Sequence, residues 1–149
     1  MQVKELMSSP VISCDLSWKI SQVAHTLTKY RIHAIPVLDK NRKIAGIVTE
    51  KDFFIKDESS IYLPSFVHFF KKSKFERCLD KKLEKKFQKI LNAKAGDIMS
   101  SPALTVSPED KIEEVIKIFQ KTQYNTLPVI DENEALIGII TITDIIGIF

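Results

Sequence analysis

Apolar residues recur at helical spacing in two separate stretches of the chain. Each stretch places four apolar residues at gaps of three, one and three positions, which predicts an amphipathic helix with one buried face. The residues are Ile20, Val23, Ala24 and Leu27 in the first stretch, and Ile112, Val115, Ile116 and Phe119 in the second. Ser107-Pro108-Glu109-Asp110 is typical of a helix start, so we expect the second helix to begin there.

Short runs of β-branched and apolar residues follow each predicted helix. Two extended segments are predicted after each helix, and turn-forming residues separate them at Asp39–Arg42 and Asp131–Glu134. The predicted strands are 35–38, 44–49, 127–130 and 136–142. A short extended piece is expected before each helix, at Val11–Cys14 and Ala103–Val106, and a short helix after the last strand, near Glu50 and Ile142. The order is β-α-β-β-α, twice.

The two halves are copies of one unit. Residues 5–54 align without a gap to residues 97–146 at a constant offset of 92, and sixteen of the fifty aligned positions are identical. A duplicated unit of this size cannot bury its apolar face alone, so we expect the two copies to pack on each other. The predicted fold class is therefore mixed α/β (α+β). The predicted domains are a first repeat at 1–54, an insertion at 55–95 and a second repeat at 96–149.

The insertion carries the basic character of the chain. It has eleven Lys and Arg against five Asp and Glu, although the whole chain has a net charge of only +3. Its apolar residues recur every fourth position, which predicts an amphipathic helix, at Phe75, Leu79, Leu83, Phe87 and Leu91. This apolar stripe either packs on the repeats or forms a dimer or effector surface. Acidic residues interrupt the lysines, which favours a solvated helix face over a nucleic-acid contact.

Composition excludes several classes of protein. No stretch approaches the roughly 20 apolar residues of a membrane span, and the N-terminus does not resemble a signal peptide. Two distant cysteines give no disulfide framework, and a cytoplasmic location is expected. The three histidines lack metal-ligand spacing, and no nucleophile motif or phosphate loop is present. We therefore expect no catalytic residues, no metal and no required cofactor.

A Thr-x-x-Asp motif occurs at the same point of each repeat, where a strand is followed by a short helix. The pairs are Thr49 with Asp52, and Thr141 with Asp144. One interpretation is a capping box, in which these side chains satisfy backbone N–H groups at the helix start. The other is a nucleotide site, in which the carboxylate accepts hydrogen bonds from ribose hydroxyls and the helix start faces a phosphate.

Three motifs recur in order and resemble the CBS domain family. They are Met-Ser-Ser-Pro at 7–10 and 99–102, Pro-Val-(Leu/Ile)-Asp at 36–39 and 128–131, and Gly-Ile-(Val/Ile)-Thr-x-x-Asp at 46–52 and 138–144. The resemblance covers both repeats, about two thirds of the chain. It implies a tandem pair, or Bateman module, with pseudo-twofold symmetry and two clefts that bind AMP, ADP, ATP or S-adenosylmethionine. It also implies a disc-like homodimer.

The resemblance assigns a role to each matching position. Asp52 and Asp144 would bind ribose, and Thr49 and Thr141 would bind phosphate. His33 matches a position that often contacts phosphate, and Asn125 is its neutral counterpart, which implies that the His33 cleft prefers more phosphate charge. The adenine contacts implied are Ile12, Ser13, Ala34, Ile35 and Pro36 in one repeat, and Leu104, Thr105, Thr126, Leu127 and Pro128 in the other. Ile35 and Leu127 fit a pocket wall and a sheet core equally well.

The sequence therefore predicts a regulatory module that senses adenine nucleotides and acts on an unidentified protein. The main alternative is a structural module for dimerisation or partner binding, with empty clefts. A weaker alternative is a nucleic-acid binder that uses the basic insertion. The preferred nucleotide and the number of occupied clefts stay open.

Overall fold

The fold is known from a computed structural model, which describes residues 1–53 and 92–149. Within these residues there are five strands and four α-helices, and they follow the predicted order twice, except that the first strand of the second repeat is not formed and a 3-10 turn closes the first repeat. The strands are β1 Cys14–Asp15, β2 Ala34–Leu38, β3 Ile44–Thr49, β4 Thr126–Ile130 and β5 Leu136–Thr141. The helices are α1 Ile20–Tyr30, α2 Ala95–Ile98, α3 Ile112–Lys121 and α4 Ile142–Ile146, and 3-10 turns span Val3–Glu5 and Glu50–Phe53. The mixed α+β class is confirmed.

The sheets repeat one register. Strands β2 and β3 are antiparallel, as are β4 and β5, and each pair has an irregularity at the same relative place, after Val37 and after Val129. Strand β1 lies parallel to β2, and its counterpart in the second repeat is a single bridge between Val106 and Val129. The extended segment before each helix therefore pairs with its neighbouring strand over fewer residues than the sequence predicts.

The predicted helix start at Ser107-Pro108-Glu109-Asp110 is wrong. These residues form a separate turn, closed by the Ser107 N–H donating to the Asp110 carboxylate at 2.8 Å, and α3 begins at Ile112. The carbonyls of Pro108 and Asp110 accept hydrogen bonds from the N–H groups of Lys4 and Val3, at 3.0 Å each. Since these carbonyls bind another segment, they do not form the first turn of a helix.

Each repeat begins with a short segment that packs on the other repeat. We call residues 1–7 and 93–99 the first and second leader. Val3 of the first leader is fully buried in the core of the second repeat, and Ala95 of the second leader is fully buried in the core of the first. The backbone bonds match, because Ile20 N–H donates to Ala93 O at 3.0 Å and Ile112 N–H donates to Met1 O at 3.2 Å. Each leader thus packs in the core of the other repeat, an arrangement we call leader exchange.

Contacts between the repeats follow a pseudo-twofold axis, so the copies pack on each other as predicted. The bridge between Ile47 and Ser100 has an exact counterpart, 92 residues away on each side, between Ser8 and Ile139. Lys43 is bridged to Ala135, the residue at its own equivalent position, which puts this pair on the axis. A hydrogen bond from Lys43 to Glu134, together with the Glu134 charge, raises the pKa of the Lys43 ammonium group.

The basic amphipathic helix predicted within the insertion lies outside the described residues. So do Cys78 and the predicted apolar stripe. Within 1–53 and 92–149, no helix is long and apolar enough to cross a membrane.

Candidate functional site

The strand register brings the predicted site residues together at one corner of each repeat. Ala34 at the start of β2 lies opposite Thr49 at the end of β3, and Thr126 lies opposite Thr141 in the same way. One further backbone bond closes each corner, from Glu50 N–H to His33 O at 3.1 Å and from Ile142 N–H to Asn125 O at 3.0 Å. The first corner is His33, Ala34, Thr49, Glu50 and Asp52, and the second corner is Asn125, Thr126, Thr141, Ile142 and Asp144.

The aspartate of each corner forms the capping interaction through one oxygen only. Thr49 donates to Asp52 Oδ2 from its N–H at 2.6 Å and from its hydroxyl at 3.2 Å. Thr141 donates to Asp144 Oδ2 from both groups at 2.7 Å. No described residue donates a hydrogen bond to the other oxygen, Oδ1, of either aspartate. Both carboxylates are partly exposed, so the cap and a ribose contact are compatible in one side chain.

His33 is not a free cation in the first corner. Its Nδ1 lies 2.9 Å from Glu50 Oε1, and the two side chains are 73% and 38% exposed. Sequence reasoning missed Glu50, although its counterpart at the 92-residue offset is Ile142, a difference in charge visible in the alignment. Next to it, the Lys51 ammonium donates to the Gln123 carbonyl at 3.2 Å and so links the first corner to the second repeat.

The residues predicted to contact adenine divide into buried and accessible groups. Ile35 and Leu127 are 0% and 1% exposed and belong to the two cores, so the core alternative describes their side chains. Four others are buried as well, namely Ala34, Pro36, Thr126 and Pro128. Ile12, Ser13 and Thr105 are partly exposed, and Leu104 is 40% exposed. The accessible side chains therefore come from the segments before each helix.

These accessible segments lie beside the corners. Cys14 pairs in parallel with Val37, which places the preceding residues Ser13 and Ile12 beside the start of β2. The sheet order is β1-β2-β3, so these residues and Thr49 lie on opposite sides of β2. A ligand at the first corner would thus have apolar surface on its β1 side and the polar Thr49 and Asp52 on its β3 side.

Other candidate features lie outside the corners. Burial, and to a lesser extent the neighbouring Asp15 charge, raises the pKa of the Cys14 thiol to about 12, which makes it a poor nucleophile. Among the described residues, no group of three or more His, Cys, Asp or Glu could hold a metal ion. A depression of about 580 Å³ lies between the N-terminus and the start of α3, and none of its lining residues belongs to either corner.

Comparison with known proteins identifies the family. The CBS domain profile matches residues 3–57 and 95–149. A CBS domain-containing protein of Dictyostelium discoideum is 25% identical over 146 residues, which cover 98% of this chain and 89% of that protein.

Two solved structures share the fold. CBSX2 of Arabidopsis thaliana, in complex with AMP, superposes with a TM-score of 0.71 at 21% identity, covering 99% of this chain and 94% of that one. The CBS domain pair of protein MJ0100, in complex with 5′-methylthioadenosine and S-adenosyl-L-methionine, superposes with a TM-score of 0.72 at 21% identity. The match covers 100% of this chain and 95% of that one. The chain belongs to the CBS domain family and contains two CBS domains in tandem.

Proposed function

We propose that this chain is a regulatory module that binds adenosine compounds at its two corners and catalyses no reaction. One observation carries the proposal: each corner keeps an aspartate oxygen without a described hydrogen-bond partner, beside a threonine and across one strand from an accessible apolar residue. The complexes of CBSX2 with AMP and of the MJ0100 pair with S-adenosyl-L-methionine support the choice of ligand class.

The proposed binding mode uses the chemistry of each group. The Oδ1 atoms of Asp52 and Asp144 accept hydrogen bonds from the ribose hydroxyls, as an acidic residue does in dinucleotide-binding folds. The adenine ring packs against Ile12 or Leu104 and bonds to nearby backbone groups, since such rings need apolar walls and a few polar contacts. Thr49 and Thr141 lie nearest the phosphate.

Regulation requires a ligand that binds two arrangements of the protein with different affinity. The proposed output is a change in a homodimer or in an unidentified partner protein, and the proposed location is the cytoplasm. The proposed domains are 1–54, 55–95 and 96–149, with the insertion available for that partner.

The proposal is tested by changing each aspartate to asparagine. In Asp52→Asn and Asp144→Asn the amide oxygen can still accept the threonine N–H, so the cap is retained at a cost of about 1 kcal/mol or less. The amide nitrogen then faces the ribose with a donor instead of an acceptor. We expect the affinity for AMP, ADP, ATP or S-adenosylmethionine to fall about tenfold or more at the altered corner in titration calorimetry.

Asp97→Asn is the matched control. Asp97 caps the Lys94 N–H at 2.9 Å in the same geometry, but it belongs to neither corner. Asp97→Asn should lower the free energy of unfolding about as much as the corner variants do, and it should leave the affinity for all four ligands unchanged. Binding that survives both corner substitutions together would overturn the site.

A second role is favoured by the surface formed by the end of α4 and the residues that follow it. Ile146 is 61% exposed and Ile148 is 43% exposed, which is unusual for isoleucines close together on a surface. This surface supports the alternative of a dimerisation or partner-binding module. The same titration separates the two functions, because the empty-cleft module binds none of the four ligands.

A further inference from the structure

The two corners share their strand register and closing backbone bond but differ in charged side chains. At the 92-residue offset Glu50 corresponds to Ile142 and His33 to Asn125. The first corner therefore holds a second carboxylate beside Asp52, whereas Asp144 is the acid of the second corner. Since the strand register and the closing bond match, charge is a clear difference between the corners, beside the 3-10 turn that follows the first and the α-helix that follows the second.

We propose that Glu50 determines the charge preference of the first corner, so that it favours adenosine compounds with an uncharged or singly phosphorylated 5′ group over the triphosphate. This inference rests on the proposed function. Glu50 directly follows Thr49 at the end of β3, on the opposite side of β2 from Ile12 and Ser13. With adenine on the β1 side and ribose at Asp52, the 5′ group extends towards the side of the corner that carries Glu50.

The pair formed by Glu50 and His33 cannot present a positive charge. With a neutral imidazole the pair carries one negative charge, and with a protonated imidazole it carries none. The 2.9 Å contact also occupies Nδ1, so a phosphate must displace the carboxylate to bond there. We therefore infer the opposite of the sequence-based expectation that His33 makes its cleft prefer more phosphate charge.

Among residues 1–53 and 92–149, two cations lie near the first corner and temper this effect without removing it. Arg31 and Lys51 are both exposed, and the Lys51 ammonium is hydrogen-bonded to the Gln123 carbonyl. They attract all phosphate tails, while Glu50 opposes each added negative charge. Removal of the Glu50 charge should consequently increase the affinity for the ligand by a larger factor for each additional phosphate that the ligand carries.

The test measures the affinities of adenosine, AMP, ADP and ATP for Glu50→Gln by titration calorimetry. The Asp144→Asn background weakens binding at the second corner, so that the tighter site in the titration is the first corner. We expect less than a twofold change for adenosine, about a threefold gain for AMP and about a tenfold gain for ATP, from repulsion between charges some 4–8 Å apart in a partly exposed site. The difference between the gain in ATP affinity and the gain in adenosine affinity should become smaller at 1 M salt, where the Debye length is about 3 Å.

Two further variants make the test specific. Glu132→Gln changes the net charge equally at an exposed turn outside both corners, and it should leave all four affinities unchanged. Ile142→Glu, in the Asp52→Asn background, should lower the affinity of the second corner for ATP more than its affinity for AMP.

The outcomes separate the two proposals. If the unaltered chain binds neither these four ligands nor S-adenosylmethionine, the proposed function fails and this inference fails with it. If it binds S-adenosylmethionine alone, the proposed function stands and this inference fails. If the four ligands bind, but Glu50→Gln shifts all four affinities by the same factor or leaves them unchanged, only the role of Glu50 is overturned.

Discussion

Two glycines at equivalent positions lie where the leader of the other repeat crosses a strand. A Cβ atom on Gly46 would lie 2.7 Å from both Met99 Sδ and the backbone oxygen of Ser100, and one on Gly138 would collide with Met7 Sδ. The two obstacles differ, because a methionine side chain can move aside and a hydrogen-bonded carbonyl cannot. The Ser100 N–H and O bond to Ile47 at 2.9 and 3.1 Å, which holds that carbonyl in place.

We therefore expect Gly46→Ala to lower the free energy of unfolding by about 2–3 kcal/mol, and Gly138→Ala by about 1 kcal/mol. Urea denaturation of the two variants measures the difference. Equal losses would mean that the Ser100 carbonyl yields as easily as the Met7 side chain.

At the scale of single residues, the sequence predicted which side chains meet but not how each is used. The Thr-x-x-Asp motif is local, so both of its interpretations could be stated in advance. The carboxylate half of the capping box is confirmed in both corners, and the complete box, with the Asp144 N–H donating to the Thr141 hydroxyl, is confirmed in the second. The ribose contact stays a prediction. Ile35 could not be assigned, because an apolar pattern does not show which face of a strand is covered. Glu50 was missed because its contact with His33 depends on the register of β2 and β3.

At the scale of elements, the hairpins were predictable and the ends of the repeats were not. Asp39 and Asp131 form their turns through bonds to residues two and four positions on, so adjacent sequence determines them. The start of α3 was predicted too early, since Pro108 and Asp110 bond to the first leader, more than 100 residues away in sequence. Leader exchange could not be predicted, because the spacing of apolar residues along the sequence does not show which repeat a segment packs on.

The first leader should stabilise the second repeat. Val3 is fully buried among residues of that core, so Val3→Ala removes two methyl groups there and should cost about 2 kcal/mol. Thermal or urea unfolding followed by circular dichroism measures the loss. Lys4→Ala, at the exposed next position, is the control and should change stability by about 0.5 kcal/mol or less. A Val3→Ala variant as stable as this control would show that the leader is not seated in the second core.

At the scale of the whole molecule, the exchange makes each core depend on both repeats. The first core includes Ala95 from the second leader, and the second core includes Val3 from the first. The bridges from Ile47 to Ser100 and from Ser8 to Ile139 join the repeats a second time. Because no core is complete within one repeat, the two cannot unfold independently, and the described residues should behave as one cooperative unit.

Trp18 offers a direct test of this cooperativity. It is the single tryptophan of the chain and packs against the first core, so its fluorescence reports on the first repeat. Val23 and Val115 are equivalent, fully buried residues of the first and second core. Val115→Ala should lower the urea midpoint of Trp18 fluorescence about as much as Val23→Ala does, each costing about 2 kcal/mol. A Trp18 transition that moves with Val23→Ala but ignores Val115→Ala would show two independent repeats, in which a ligand at one corner would have no packed core through which to influence the other.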